Sequence, residues 1–185
     1  MSDHPAPFTR FFKANDLPTK KPRALEIKAS AEERSAIAAD LDLLDVSLLS
    51  VTAEIAPAAE GVWRVRGQVD ADVAQACVVT LSPVTSTVSE PFDRLFSRYA
   101  EEDTPIDIDI EYDKDDPPEP LGAGVDLGAV AIEALALGLD SYPRAPGATF
   151  EAVSAAPPGA QPISPDAAKP FAGLASLKKA MDGGD

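Results

Sequence analysis

This chain is short of the residues from which most catalytic centres are built. In 185 residues it has one cysteine, Cys77, and one histidine, His4. A single thiol excludes an internal disulfide and any zinc site made of several thiolates. A single histidine in an N-terminal arm argues against a histidine-based triad or a histidine-ligated metal. Aromatic residues make up only 6% of the chain. No apolar run approaches the roughly 18 residues of a membrane span. Glycine-rich phosphate loops are missing too: Gly122-Ala123-Gly124 precedes a helix without GxGxxG or Walker spacing, and reads as a turn. The N-terminal MSDHPAPFTRFFKAND lacks the hydrophobic stretch of a signal peptide. A soluble cytoplasmic protein is expected.

Basic residues are also scarce relative to acidic ones. The formal net charge is −15 and the pI about 4.3, which argues against a broad phosphate-neutralising surface and favours basic partners. The charge is unevenly spread. Residues 1–29 carry six basic and three acidic side chains, whereas residues 101–120 carry one basic and ten acidic. What the chain has in quantity is apolar residues, at 45%, and proline, with 18. The first allows a real core, and the second implies substantial loop or tail. The length suits one domain with tails.

Three regions follow from this. Residues 1–21 read as a mobile basic arm, with Phe8, Phe11 and Phe12 able to dock. Residues 22–150 read as the domain, and 151–185 as a Pro/Ala-rich tail ending in a short amphipathic segment at Phe171, Leu174 and Leu177. That segment could dock on the domain or on a partner. Within the domain, Arg23–Ile27 predicts a strand. Ser30-Ala31-Glu32-Glu33 matches a capping box that opens a helix to about Leu41, with Ile37, Leu41 and Leu44 on one face. Val46–Ile55 and Val62–Ala76 predict strands around a turn at Ala58–Gly61. Val78–Leu81 is β-like and runs into a turn at Ser82-Pro83. Thr85–Tyr99 alternates again, with Pro91 marking an edge or a bulge. Ile106, Ile108, Ile110 and Tyr112 alternate with acids and predict a strand with one acidic face. Asp126 predicts the N-cap of a second helix, Leu127–Leu139.

The candidate chemistry is sparse. Asp107, Asp109, Glu111 and Asp113 project from one predicted strand face, but their spacing lacks the glycine and terminal glutamate of an EF-hand. They read as a solvated acidic face or a docking surface for a basic partner. No cofactor and no metal are expected. Cys77, between Ala76 and Val78, reads as a buried structural thiol. Arg10, Lys13, Lys20, Lys21, Arg23 and Lys28 could touch RNA phosphates or remain solvated. Nothing in these residues suggests an enzyme.

Four ordered stretches carry a resemblance: RGQVDADVAQACVVTLSPV (Arg66–Val84), DPPEPL (Asp116–Leu121), GVDLGAVAIEALALGLDSYPRAPGATF (Gly124–Phe150) and PFAGLASLK (Pro170–Lys178). Together they resemble the YceD family, the large ribosomal RNA subunit accumulation proteins, in the form seen in alphaproteobacteria. The resemblance implies a role in accumulation or processing of large-subunit (23S) ribosomal RNA, with no established catalytic activity. The family's gene commonly lies beside one for a large-subunit ribosomal protein. Many members carry C-x-x-C where this chain reads Cys77-Val78-Val79-Thr80, and further cysteines after the YPR-like run. This chain has neither, so no metal role of those thiols carries over.

The motif positions carried by the resemblance are Asp126, Leu127, Gly128, Glu133, Tyr142, Pro143 and Arg144. Each also has an ordinary structural reading: Asp126 as an N-cap, Glu133 as a solvated or paired helix residue, Tyr142 and Pro143 as packing at a helix end. Arg144 could pair with a carboxylate or reach a phosphate. The expected fold is α+β, an antiparallel sheet of about five to seven strands, open or closed partway into a barrel, with two main helices and flexible termini. Two modes of action follow. One is a non-enzymatic ribosome-biogenesis factor that contacts a basic ribosomal protein or assembly factor. The other is a direct binder of large-subunit ribosomal RNA using Lys20, Lys21, Arg23 and Arg144. No membrane partner is expected.

Overall fold

Along the chain run β1 (Phe11–Lys13), β2 (Arg23–Lys28), α1 (Ala31–Asp40), β3 (Asp45–Ala59), β4 (Val62–Ala76), β5 (Pro83–Ser97), β6 (Glu119–Pro120), β7 (Gly124–Asp126) and α2 (Leu127–Gly138). The structure is a computed structural model and describes residues 7–100 and 117–149. The chain divides after Ala148, and the fold is that of the unit Met1–Ala148.

Strands β3, β4 and β5 are 15 residues each and form an antiparallel meander. With β2 and β6 at the edges they make an open five-stranded sheet, order β2-β3-β4-β5-β6. The β5–β6 pairing is parallel and only two residues long, a departure from the all-antiparallel expectation. The period of two is explicit in β4. Trp63, Val65, Val69, Ala71 and Val73 are buried on one face, while Arg66 and Gln68 are exposed on the other. Leu25, Val51, Ile55, Val88 and Phe92 extend the same apolar face across the strands by register. Both helices share one core with it, through Ile37 and Ala38 of α1 and Val130, Ala131, Ala134 and Leu135 of α2. This is the one-face-wet design open to an antiparallel sheet.

Helix α1 begins as its sequence dictates. The Ser30 hydroxyl accepts from Glu33 N at 3.2 Å, and the Glu33 carboxylate accepts from Ser30 N at 2.8 Å. The helix stops at Asp40, however, and Asp42 takes a φ of 54°. Ile37 is therefore core, but Leu44 lies beyond the helix and is exposed rather than on its apolar face. The Ala58–Gly61 turn forms two residues shorter, at Glu60 and Gly61, with Gly61 at φ 71°, a conformation glycine adopts without a β-carbon clash. Pro91 sits in register opposite Gln68 on a strand whose far edge pairs only at Phe96 and Ser97, so the missing N–H breaks no ladder there. Val78–Leu81 is a turn, not strand.

The arm takes the docked alternative rather than the mobile one. Residues 7–21 do not stand off the domain. Phe8 is 1% exposed and Leu17 4%, and both belong to the core. Strand β1 pairs with β7 from Phe11↔Asp126 to Lys13↔Gly124. Arg10 N donates to Asp126 Oδ1 at 2.8 Å, and the Trp63 indole donates to Pro18 O at 2.8 Å. Burial of a phenylalanine contributes about 2–3 kcal/mol, enough to hold a segment that its polar flanks made look free. The strap passes so close to α2 that a β-carbon on Gly128 would collide with the Phe8 carbonyl oxygen. The expected strand at 106–112 and the tail from 151 lie outside the described residues.

Candidate functional site

Strand β4 serves as a ruler, because the chemistry-bearing residues gather at its two ends. At its start lie most of the cations. Arg23 is in register with Ile55, which pairs with Val65. Lys20 and Lys21 are exposed and directly precede Pro22, which lines a hollow with Arg64 and Arg66. Arg98 lies over the Trp63 ring at 5.2 Å, and Arg23 over Phe12 at 5.1 Å. Three carboxylates at this end are paired: Glu54 with Arg66 at 2.8 Å, Asp93 with Arg64 at 3.4 Å, and Glu119 with Arg94 at 3.6 Å.

The far end of β4 is built by the family-like segments. There Cys77 N donates to Ser82 O and Leu81 N to Cys77 O, closing a tight turn. Val78 N donates to Pro143 O at 2.9 Å, which fastens that turn to the loop after α2. The Cys77 sulfur, fully buried as expected of a structural thiol, accepts from Ala145 N at 3.3 Å and Thr80 N at 3.4 Å. The Ala145 N–H first, then the Thr80 side chain, with the Thr80 N–H adding to them, pull the thiol pKa down to about 6 against the opposing effect of burial. The side chain is covered, so the sulfur works as an internal staple.

The motif residues divide by role. Asp126 is the N-cap of α2, its Oδ1 accepting from Gly128 N at 2.9 Å and Ala129 N at 3.4 Å. Leu127 and Gly128 are buried beneath the strap, and Pro143 is buried at the far turn. Glu133 and Arg144 are exposed. Tyr142 is 73% exposed and so does not pack the helix end; only its backbone is held, by Asp140 Oδ1 at 2.9 Å.

The fold does not bring the expected phosphate contacts together. Lys20, Lys21 and Arg23 lie near Val65, and Arg144 lies beside Cys77, with roughly 35 Å of strand between them at about 3.3 Å per residue. Asp107, Asp109, Glu111 and Asp113 lie outside the described residues. Among the described residues no group of three metal-ligating side chains converges, and no helix is long and apolar enough to cross a membrane.

Asp45, Gln75 and Asp140, which the sequence did not single out, share the far end of β4 with Leu44, which the sequence places on the apolar face of α1. Leu44 N donates to Ala74 O, Asp45 pairs with Ala74, and the Gln75 side chain donates to Asp140 O. Nothing in their local pattern marks them, because strand pairing alone places them there.

Comparison with known protein families matches residues 65–178 to the family described as Large ribosomal RNA subunit accumulation protein YceD. No curated protein and no solved structure gives a match. The matched region starts inside β4, so β2 and β3, which complete its sheet, and α1, which packs on it, precede it. The match spans more than half of the chain and covers the Cys77 turn, the Asp126 cap and the whole of α2: the chain belongs to the YceD family of large ribosomal RNA subunit accumulation proteins.

Proposed function

We propose that this protein is a cytoplasmic, non-enzymatic factor that supports accumulation and processing of 23S ribosomal RNA during ribosome biogenesis. It acts through contact with a basic ribosomal protein or assembly factor. One observation carries the mode of action. Among the described residues, Asp42, Asp45, Asp72 and Asp140 at the far end of β4 make no ion pair, whereas Glu54, Asp93 and Glu119 at the near end do. These four aspartates outnumber the cations at the same end, Arg34 and Arg144, and on a chain of net charge −15 such an end attracts a basic protein and repels phosphate. The acidic residues 107–113 add to that attraction in sequence.

The test has two parts. Depletion of the protein should lower the ratio of 23S to 16S ribosomal RNA. The purified full chain should bind at least one basic large-subunit protein with a salt-dependent affinity. An unchanged ratio, or no binding across the set of basic large-subunit proteins, would sink the proposal.

A second reading has its own observation. Lys20, Lys21 and Arg23 share one end of the sheet with Arg64, Arg66 and Arg98, which makes a local cationic surface for ribosomal RNA backbone. Arg144 belongs to the other end and takes no part in it. Specific binding of ribosomal RNA fragments, abolished by Lys20→Glu, Lys21→Glu and Arg23→Glu together, would favour this reading over protein docking.

A further inference from the structure

Five of the eight large apolar side chains exposed among the described residues gather at one end of the sheet: Leu44, Leu48, Val78, Leu81 and Tyr142. Leu81 is 76% exposed and Leu44 54%. Scattered apolar side chains on a surface mean little, but a group of them rimmed by polar residues marks an interaction site. Main-chain bonds fix the group. Leu44 is held to Ala74, Leu81 to Cys77, and Val78 to Pro143 beside Tyr142.

A second observation is conformational. The only non-glycine residues with positive φ among the described residues are Asp42 at 54° and Leu81 at 61°, and both stand at this end. Aspartate tolerates that region, whereas a bulky apolar residue rarely occupies it. At Leu81 the chain keeps a strained backbone and turns the leucine side chain to solvent. Glycine would make the same turn without the strain. Such outliers point towards function.

The third observation is charge. A hollow on the outer sheet face at this end is lined by Asp45, Ser47, Asp72, Ala74, Thr85 and Thr87. The Thr87 hydroxyl donates to Asp72 Oδ1 at 2.7 Å and orients that carboxylate. With Asp42 and Asp140 nearby, the apolar group is bordered by four carboxylates that form no ion pair among the described residues, against two cations at the same end, Arg34 and Arg144.

From these three we infer that the far end of β4 is a docking site for a protein segment in which large apolar side chains are flanked by lysine or arginine. The apolar side chains cover Leu81, Val78 and Tyr142, and the cation enters the Asp45–Asp72 hollow. This deepens the proposed function and rests on it, since it assigns the contact with the basic partner to a specific surface. Complementary charge speeds the encounter, while burial of the apolar group slows dissociation.

The experiment uses the full chain and a purified set of basic large-subunit ribosomal proteins, with binding measured by calorimetry across a salt series. Leu81→Gly combined with Tyr142→Ala should weaken binding at least tenfold. Thermal stability should stay unchanged or rise, because glycine relieves the positive φ. Asp45→Asn with Asp72→Asn should weaken binding severalfold and flatten its salt dependence. Lys20→Glu with Lys21→Glu, at the opposite end, should leave it unchanged. If a basic protein binds and the Leu81/Tyr142 variant binds it equally well, the site assignment is wrong while the proposed function stands. If no protein in the set binds, both fall. If the chain self-associates and the Leu81/Tyr142 variant is monomeric, the occupant is a second copy and the inference is overturned.

Discussion

The backbone N–H of Ala145 donates to the sulfur of Cys77 at 3.3 Å, across 68 residues of sequence. The bond ties the turn after β4 to the loop after α2, and Thr80 N completes the cradle from within the turn. Replacing Cys77 with alanine leaves two N–H groups without that acceptor, and unmade buried bonds are costly. Cys77→Ala should lower the urea midpoint, and thiol reagents should label the native protein far more slowly than the unfolded one. The pH dependence has a definite sign. A thiol pKa depressed to about 6 in the fold stabilises the native state above the ordinary thiol pKa, and that contribution fades as pH falls through 6. Between pH 9 and 6 the native protein should lose more stability than Cys77→Ala, as equilibrium unfolding at several pH values will show.

Glu33 is engaged twice. It closes the α1 capping box and forms a two-pronged pair with Arg10, at 2.7 Å and 3.0 Å. The Arg10 guanidinium first, and the Ser30 N–H second, hold its carboxyl down to about 2 from an ordinary 4.5. The stabilisation is therefore complete above pH 4.5 and is lost as pH falls towards 2. After allowance for solvent screening of this part-exposed pair, Glu33→Gln, which keeps the capping acceptor, should cost about 0.5–1 kcal/mol at neutral pH. The variant's acid-unfolding curve should be flatter than the parent's over that window.

The N-terminal strap is structural. Phe8→Ala should cost about 3–4 kcal/mol, the range for truncating a buried aromatic. Gly128→Ala should destabilise as well, because the Phe8 carbonyl occupies the space of the new β-carbon. Hydrogen exchange in the Phe8→Ala protein should rise first in β1 and β7, which pair only with each other.

Asp126 joins the strap to α2 by accepting from Arg10 N and from the first turn of the helix. Asp126→Ala removes a cap worth about 1 kcal/mol and one strap bond together. Its destabilisation should exceed that of Ser30→Ala, which removes a single capping bond from α1. Chemical denaturation of the two variants side by side gives the comparison.

Local chemistry made much of this fold readable in one dimension. The Ser30–Glu33 box, the Asp126 cap, the alternation of Val62–Ala76 and the turn at Gly61 depend on neighbours within a few residues, so sequence alone determined them. The family was likewise legible from ordered motifs. Other features depend on distant partners. Phe8 looked like part of an arm because its core neighbours lie more than a hundred residues away, around α2. Lys20 and Arg144 looked like one set of cations until strand register put them at opposite ends of β4. Leu44, Asp45, Leu81 and Tyr142 share no sequence pattern, and only antiparallel pairing, with the Cys77 and Pro143 bonds, gathers them into one surface. Sequence determined the elements and the charge of this protein. Tertiary structure decided which faces those charges and apolar side chains share, because that depends on register and long-range hydrogen bonds, which no local pattern encodes.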